Sequence, residues 1–151
     1  MAEDAGQQRP QAVLFLCGQN SIRSPMAAAI ARHYFGKSIY VASAGVRKGE
    51  ADPFVAAVMD EIGIDISRHR PMTVEEREDD EGLNFDLAIS LSPQAHHRAL
   101  ELTRKLPIEV EYWPTADPTI AEGSREQKLD AYRRVRDELT RKIKQRFAAN
   151  G

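Results

Sequence analysis

Cys17 and Arg23 stand six positions apart in the run Cys17-Gly18-Gln19-Asn20-Ser21-Ile22-Arg23-Ser24-Pro25, and Cys17 is the only cysteine among 151 residues. A thiolate is a strong nucleophile. A guanidinium offers a planar fork that binds two oxygens of an oxyanion at once, which a lysine ammonium cannot reproduce. Between them, Gly18, Gln19, Asn20, Ser21 and Ile22 supply backbone amides that can converge as a nest around a phosphate-sized anion, with Ser24 closing the loop. Sulfur can then attack phosphorus in line, which divides one hard displacement into two easier ones through a covalent intermediate. A lone cysteine after an apolar run is otherwise a small buried hydrophobe. The arginine and serine that follow favour the reactive reading.

Such a displacement needs a proton donor for the leaving oxygen. Asp117-Pro118, just after an apolar segment ending near Trp113, is the candidate. An isolated Asp-Pro pair is commonly a plain turn. Coupled to the cysteine loop, Asp117 would first donate to the leaving group and then activate water.

These residues need elements that hold them. Residues 13–16 are apolar and predict a first strand, with the loop at its carboxyl end. Ser24 as N-cap and Pro25 at the first helical position predict a helix to about Phe35, stopped by Gly36. Its N-terminal dipole points at the same anion and favours the thiolate. Residues 38–43 predict a second strand ending at Ala44-Gly45. Asp52-Pro53 starts a second helix, with Val55, Val58, Met59 and Ile62 at helical spacing and Gly63 at its end. The acidic stretch 73–82 predicts a short solvated helix plus loop, a surface charge run rather than a metal site. Residues 85–91 and 108–113 predict the third and fourth strands, with a helix from Ser92-Pro93 between them. Ser124 and Gln127 form a capping box opening the longest helix, with Leu129, Tyr132, Val135, Leu139, Ile143 and Phe147 on one face.

This alternation predicts an α/β fold: a three-layer, doubly wound, four-stranded parallel sheet of flavodoxin-like order 2-1-3-4. The phosphate-binding loop follows the first strand. Residues 1–11 are polar and predict a disordered or frayed tail; 12–151 predict a single domain. The net charge of −2 gives no reason to expect nucleic acid or an anionic membrane as partner. No apolar run reaches membrane-spanning length. A single thiol suits the reducing cytoplasm. His96 and His97 are adjacent, so they point to different sides of a helix and make a poor metal site; both are expected at the surface. Trp113 is expected to anchor the core or a loop. No metal and no cofactor is expected. The loop also lacks the Gly-Lys-Ser/Thr ending of nucleotide-binding loops.

Cys17-(five residues)-Arg23-Ser24-Pro25, Ser43-Ala44-Gly45, Gly63-Ile64-Asp65-Ile66 with His69, and Asp117-Pro118 together resemble the low-molecular-weight protein tyrosine phosphatase superfamily, which includes thioredoxin-coupled arsenate reductases. The likeness runs from Val13 to Phe147 in order. It implies Cys17 as nucleophile, Arg23 as phosphate clamp and Asp117 as acid/base. It also implies that Ser24 bonds the sulfur, and that Asn20 holds the loop in a left-handed turn with Ser43 and His69 supporting it. Several positions depart from the family pattern. Ile22 replaces a second loop cysteine, and Gly18 replaces an apolar residue. Arg47-Lys48-Gly49-Glu50 carries no aromatic wall, and Thr119 and Ile120 stand where rings are usual. A phosphotyrosine ring would lose its apolar sandwich, each face worth about 1 kcal/mol, while Arg47 and Lys48 favour an anionic or smaller substrate. Glu111-Tyr112-Trp113 and residues 132–138 look closer to the reductases, yet serines and alanines fill Ser90-Leu91-Ser92 through Ala99 where resolving thiols belong. An internal disulfide cascade is therefore chemically excluded.

Three readings follow. The first is a phosphomonoester hydrolase acting through a phosphocysteine on a phosphorylated protein or small phosphomonoester, with inorganic phosphate or a similar oxyanion as ligand. The second is an arsenate reductase resolved by an external thiol: glutathione, mycothiol or glutaredoxin. The third is a non-catalytic oxyanion-binding module, which would need neither Cys17 nor Asp117.

Overall fold

The computed structural model describes residues 9–148. Four parallel strands, β1 (Ala12–Cys17), β2 (Tyr40–Gly45), β3 (Leu87–Ser90) and β4 (Glu109–Tyr112), form one sheet in the order β2-β1-β3-β4. That is the predicted order. The residues of β1 alternate between two cores. Val13, Phe15 and Cys17 face α1 (Arg23–Phe35), α2 (Pro53–Asp60) and α5 (Arg125–Ala148). Leu14 and Leu16 face α3 (Val74–Glu81) and α4 (Pro93–Leu102). A strand covered on both faces reads as a continuous apolar run, as residues 12–16 do. With β2 on one side of β1 and β3 on the other, the winding reverses at β1, so Cys17 ends its strand at the switch point where ligands of such sheets bind.

Residues 1–8 of the expected tail lie outside the described residues. Residues 9–11 are not frayed. Arg9 Nε donates to the Phe147 carbonyl at 2.8 Å, and Asp86 accepts from the amides of Gln11 and Ala12.

Helix starts follow the capping chemistry with one exception. Asp52 accepts from the Phe54 amide, Ser92 from Ala95 and Ser124 from Gln127. The acidic run forms α3 behind a full capping box of Thr73 and Glu76. The exception is α1, which begins at Arg23 behind Ile22, with no side-chain cap. Ser24 lies inside the helix, its hydroxyl turned to Cys17 instead. The α2 helix ends at Asp60, and Gly63 reverses the chain at φ 78°. The six apolar residues assigned to one face of α5 are all buried. His96 is only partly exposed, contrary to expectation: Nδ1 meets Ser90 Oγ at 2.9 Å and the ring stacks on Tyr112, while His97 points to solvent. Trp113 packs edge-on against Phe15. No helix among the described residues is long and apolar enough to cross a membrane.

Candidate active site

The strand β1 delivers Cys17 to the start of a tight loop whose backbone is pinned from below. Val46, Arg47 and Gly49 donate their amides to the carbonyls of Cys17, Gly18 and Gln19. Gly45 sits directly under the turn; a Cβ there would lie 2.7 Å from the Asn20 nitrogen, so only glycine permits this approach.

Cys17 is 3% exposed and its sulfur is surrounded by donors. The amides of Asn20 and Ser24 reach Sγ at 3.3 and 3.4 Å. Ser24 Oγ lies 2.8 Å from Sγ, and because this oxygen accepts from Asn20 Nδ2 at 2.9 Å, its own hydrogen is left for the sulfur. Three converging donors are how proteins hold an anionic atom. The uncapped start of α1 fits this arrangement: the first-turn amide of Ser24 meets the sulfur rather than a capping side chain.

Asn20 is the one non-glycine residue with positive φ (56°) among the described residues, and it is fully buried. Its side chain spans the loop. Nδ2 donates to Ser24 Oγ and to Ser43 Oγ, both at 2.9 Å, and Oδ1 accepts from the Met72 amide at 2.9 Å. His69 Nε2 meets the Asn20 carbonyl at 2.8 Å. A carbonyl only accepts, so Nε2 carries the proton. Burial pushes His69 below its usual range and outweighs the bond to Asn20; Arg32, Arg77 and Arg70 push the same way. The ring is therefore a neutral donor at physiological pH. Asn20→Ala orphans the Met72 amide and one partner of each serine, and forces alanine into a left-handed turn. It should lower unfolding free energy by about 2–4 kcal/mol, measured in urea. A loss below about 1 kcal/mol would show that the loop does not depend on this residue.

Arg23, the first residue of α1, donates from Nη1 to the Thr115 carbonyl at 2.9 Å. This ties the guanidinium to the segment that carries Asp117. Asp117 precedes a short 3-10 turn, Pro118–Ile120, and its Oδ1 accepts from the Thr119 amide and hydroxyl at 2.9 and 2.6 Å. Burial raises the Asp117 pKa, but the two Thr119 bonds and the charge of Arg23 outweigh it, leaving the carboxyl below its ordinary value.

Cys17, Arg23 and Asp117 line one cleft of about 230 Å³ together with Gly18, Gln19, Ser21 and Ile22 of the loop. Asn20, Ser43 and Ser24 form its buried support, with the half-buried His69 behind them. Three further residues line the cleft: Arg47, Gln94 and Thr119. Gln94 takes up the space beside Gly18, where an added Cβ would meet only its Oε1, at 3.4 Å. Sequence pattern carried no signal for Gln94, which comes from α4, nor for the Thr115 carbonyl, a backbone group any residue would supply. Lys48, expected beside Arg47, is turned away and paired with Glu76 of α3 at 3.0 Å. Only Arg47 of the two faces the cleft. No aromatic side chain among the described residues lines it.

The chain is 34% identical over 139 residues to an arsenate reductase of Bacillus subtilis, covering 92% of this chain and 96% of that one. It is 31% identical over 137 residues to a glutaredoxin arsenate reductase of Synechocystis, covering 90% and 95%. Among solved structures, an arsenate reductase in the phosphate binding state superposes with a TM-score of 0.70 at 28% identity, covering 93% of this chain and 99% of that one. The family model described as low molecular weight phosphotyrosine protein phosphatase matches residues 12–149, nearly the whole chain. With the strand order, the loop after β1 and this match in agreement, the chain belongs to the low-molecular-weight phosphotyrosine protein phosphatase family.

Proposed function

We propose that this protein is a cytoplasmic phosphomonoester hydrolase that works through a phosphocysteine at Cys17. The observation that carries the proposal is the company of a single thiol: Cys17 shares its cleft with Arg23 and Asp117, and the chain has no second cysteine to resolve a redox adduct. The Cys17 thiolate attacks phosphorus, the P–S bond forms and the P–O bond to the leaving group breaks. Asp117 gives its proton to the departing oxygen. Water then attacks phosphorus while Asp117 takes back a proton, the P–S bond breaks, and inorganic phosphate leaves. Arg23 and the loop amides hold the three equatorial oxygens throughout.

Asp117 must be protonated in the first step although Arg23 and Thr119 hold its pKa down. A bound phosphate dianion supplies the compensating effect: it neutralises Arg23 and places negative charge in the same cleft, which favours the protonated carboxyl. The cleft lacks an aromatic wall and carries Arg47, so a small or anionic phosphomonoester suits it better than a phosphotyrosine ring.

A second reading, arsenate reduction, is favoured by the relatives, which are named arsenate reductases, one of them a glutaredoxin arsenate reductase. Here it would need glutathione, mycothiol or glutaredoxin to resolve an arsenic adduct on Cys17. Two assays on one preparation separate the readings: hydrolysis of phenyl phosphate, and arsenate reduction with each external thiol supplied. The hydrolase reading expects turnover in the first that exceeds the second. Efficient arsenate reduction with background hydrolysis would replace it. Background rates in both would leave a non-catalytic oxyanion binder.

A further inference from the structure

A second and larger cavity, about 440 Å³, opens between the edge strand β2, α1 and the segment leading into α3. It shares no lining residue with the Cys17 cleft. Its apolar side is built from Pro25, Ala28 and Val41, and its polar side from four arginines, Arg32, Arg68, Arg70 and Arg77.

Two carboxylates, Asp65 and Glu81, also line the cavity, and both already accept hydrogen bonds. Glu81 accepts from Tyr40 at 2.5 Å and from Arg77 Nη1 at 3.0 Å, and Asp65 accepts from the Ser67 amide at 2.9 Å. Arg32 spends one donor on the Val41 carbonyl at 3.0 Å, and Arg70 bonds the carbonyls of Ser67 and His69. Arg32, Arg68 and Arg70 form no salt bridge among the described residues, although the charge of Arg68 acts on Asp65; Arg77 is paired with Glu81 and donates from Nε to the Ser43 carbonyl at 2.9 Å. Burial draws the Arg32 pKa down, and the like charge of Arg77 adds to it against the opposing effect of Tyr40. Four guanidinium groups against two carboxylates, three of them outside any salt bridge and set beside an apolar wall, are complementary to an anion on an apolar body.

We propose that this cavity is a second anion-binding site, for a small organic anion whose carboxylate or phosphoryl head lies between Arg32 and Arg68, beside the Glu81-paired Arg77, and whose apolar part rests on Ala28 and Val41. It borders the catalytic loop only through Ser43, His69 and Met72, which hold Asn20 from behind, and does not depend on which reaction Cys17 performs. Ser43 and His69 belong to its wall, so their amides report occupancy.

Titration of benzoate and of phenylphosphonate into the isotope-labelled protein, followed by amide chemical shifts, tests the site. The Arg23→Ala variant removes the oxyanion clamp of the first cleft and isolates the second. Saturable shifts at Val41, Ser43 and His69 that persist in Arg23→Ala are expected for at least one probe. Preference between the two probes identifies the head group as carboxylate or phosphoryl. Arg32→Gln should weaken that binding at least about tenfold. Arg68→Glu, at an exposed side chain with no hydrogen bond or salt bridge among the described residues, should do the same without risk to the fold. Shifts confined to residues 17–24, no saturable binding of either probe, or affinity unchanged in both variants would overturn the proposal.

Discussion

Cys17→Ser should reduce hydrolysis of aryl phosphates by at least about four orders of magnitude while leaving the fold and phosphate binding in place. A serine hydroxyl at this position has no base beside it. The groups around the sulfur, namely the amides of Asn20 and Ser24 and the Ser24 hydroxyl, are donors that suit an anion already formed. They cannot take a proton from an alcohol. The nest, Arg23 and the packing are untouched, so the variant should bind inorganic phosphate at least as well as the parent. If catalysis came only from the nest and a water activated by Asp117, the loss would be small. Binding and rate must therefore be measured on the same preparation.

Asp117→Asn should show a loss that depends on the leaving group. With phenyl phosphate, whose departing oxygen needs a proton, kcat/KM should fall by about 10²-fold or more. With 4-nitrophenyl phosphate, which leaves as a stable anion, the first step should change by less than about threefold. Equal losses on both substrates would remove Asp117 from the acid role. The Thr119 bonds make a second, pH-based check. They lower the Asp117 pKa, so kcat/KM should decline as pH rises through that value and deprotonates the acid. Thr119→Val deletes the 2.6 Å hydroxyl bond and moves the declining limb to higher pH. A limb that stays in place, or moves down, would assign it to another group.

Much of this architecture was legible in the sequence because local chemistry and global fold agree there. The run at residues 12–16 reads as a strand buried on both faces, and the caps at Asp52, Ser92 and Ser124 each start the helix they announce. Where reading failed, a functional demand had displaced local preference. Ser24 followed by Pro25 has the form of a helix start, yet α1 begins two residues earlier and Ser24 is drawn to the sulfur. Lys48 looked like a neighbour of the substrate until α3, with Glu76 on its first turn, claimed it. His96 shows the converse case: periodicity cannot reveal that Ser90 and Tyr112 form a berth for its ring. The contacts most distant from sequence logic are those to backbone. The Thr115 carbonyl that fixes Arg23 and the Met72 amide that fixes Asn20 leave no residue signature.

The Asn20 network also explains why one buried amide side chain can govern a loop of several residues. Its donors and acceptor join the loop to β2 through Ser43 and to the segment before α3 through Met72, while His69 holds its backbone. The elements held this way all lie at the carboxyl edge of the sheet, so the loop inherits the rigidity of the core. Preorganised donors of this kind act at full strength because they need not reorganise as charge develops.

The most direct test of the account is to trap the phosphorylated enzyme. Asp117→Asn mixed with 4-nitrophenyl phosphate forms the intermediate quickly, because the leaving group needs no proton, and breaks it down slowly, because water lacks its base. After rapid quenching, mass spectrometry of the peptide spanning the loop should place a phosphoryl group on Cys17, at a level approaching one per chain. Nitrophenol released at a steady rate, with no phosphoryl group on Cys17 at any time, would contradict the covalent mechanism.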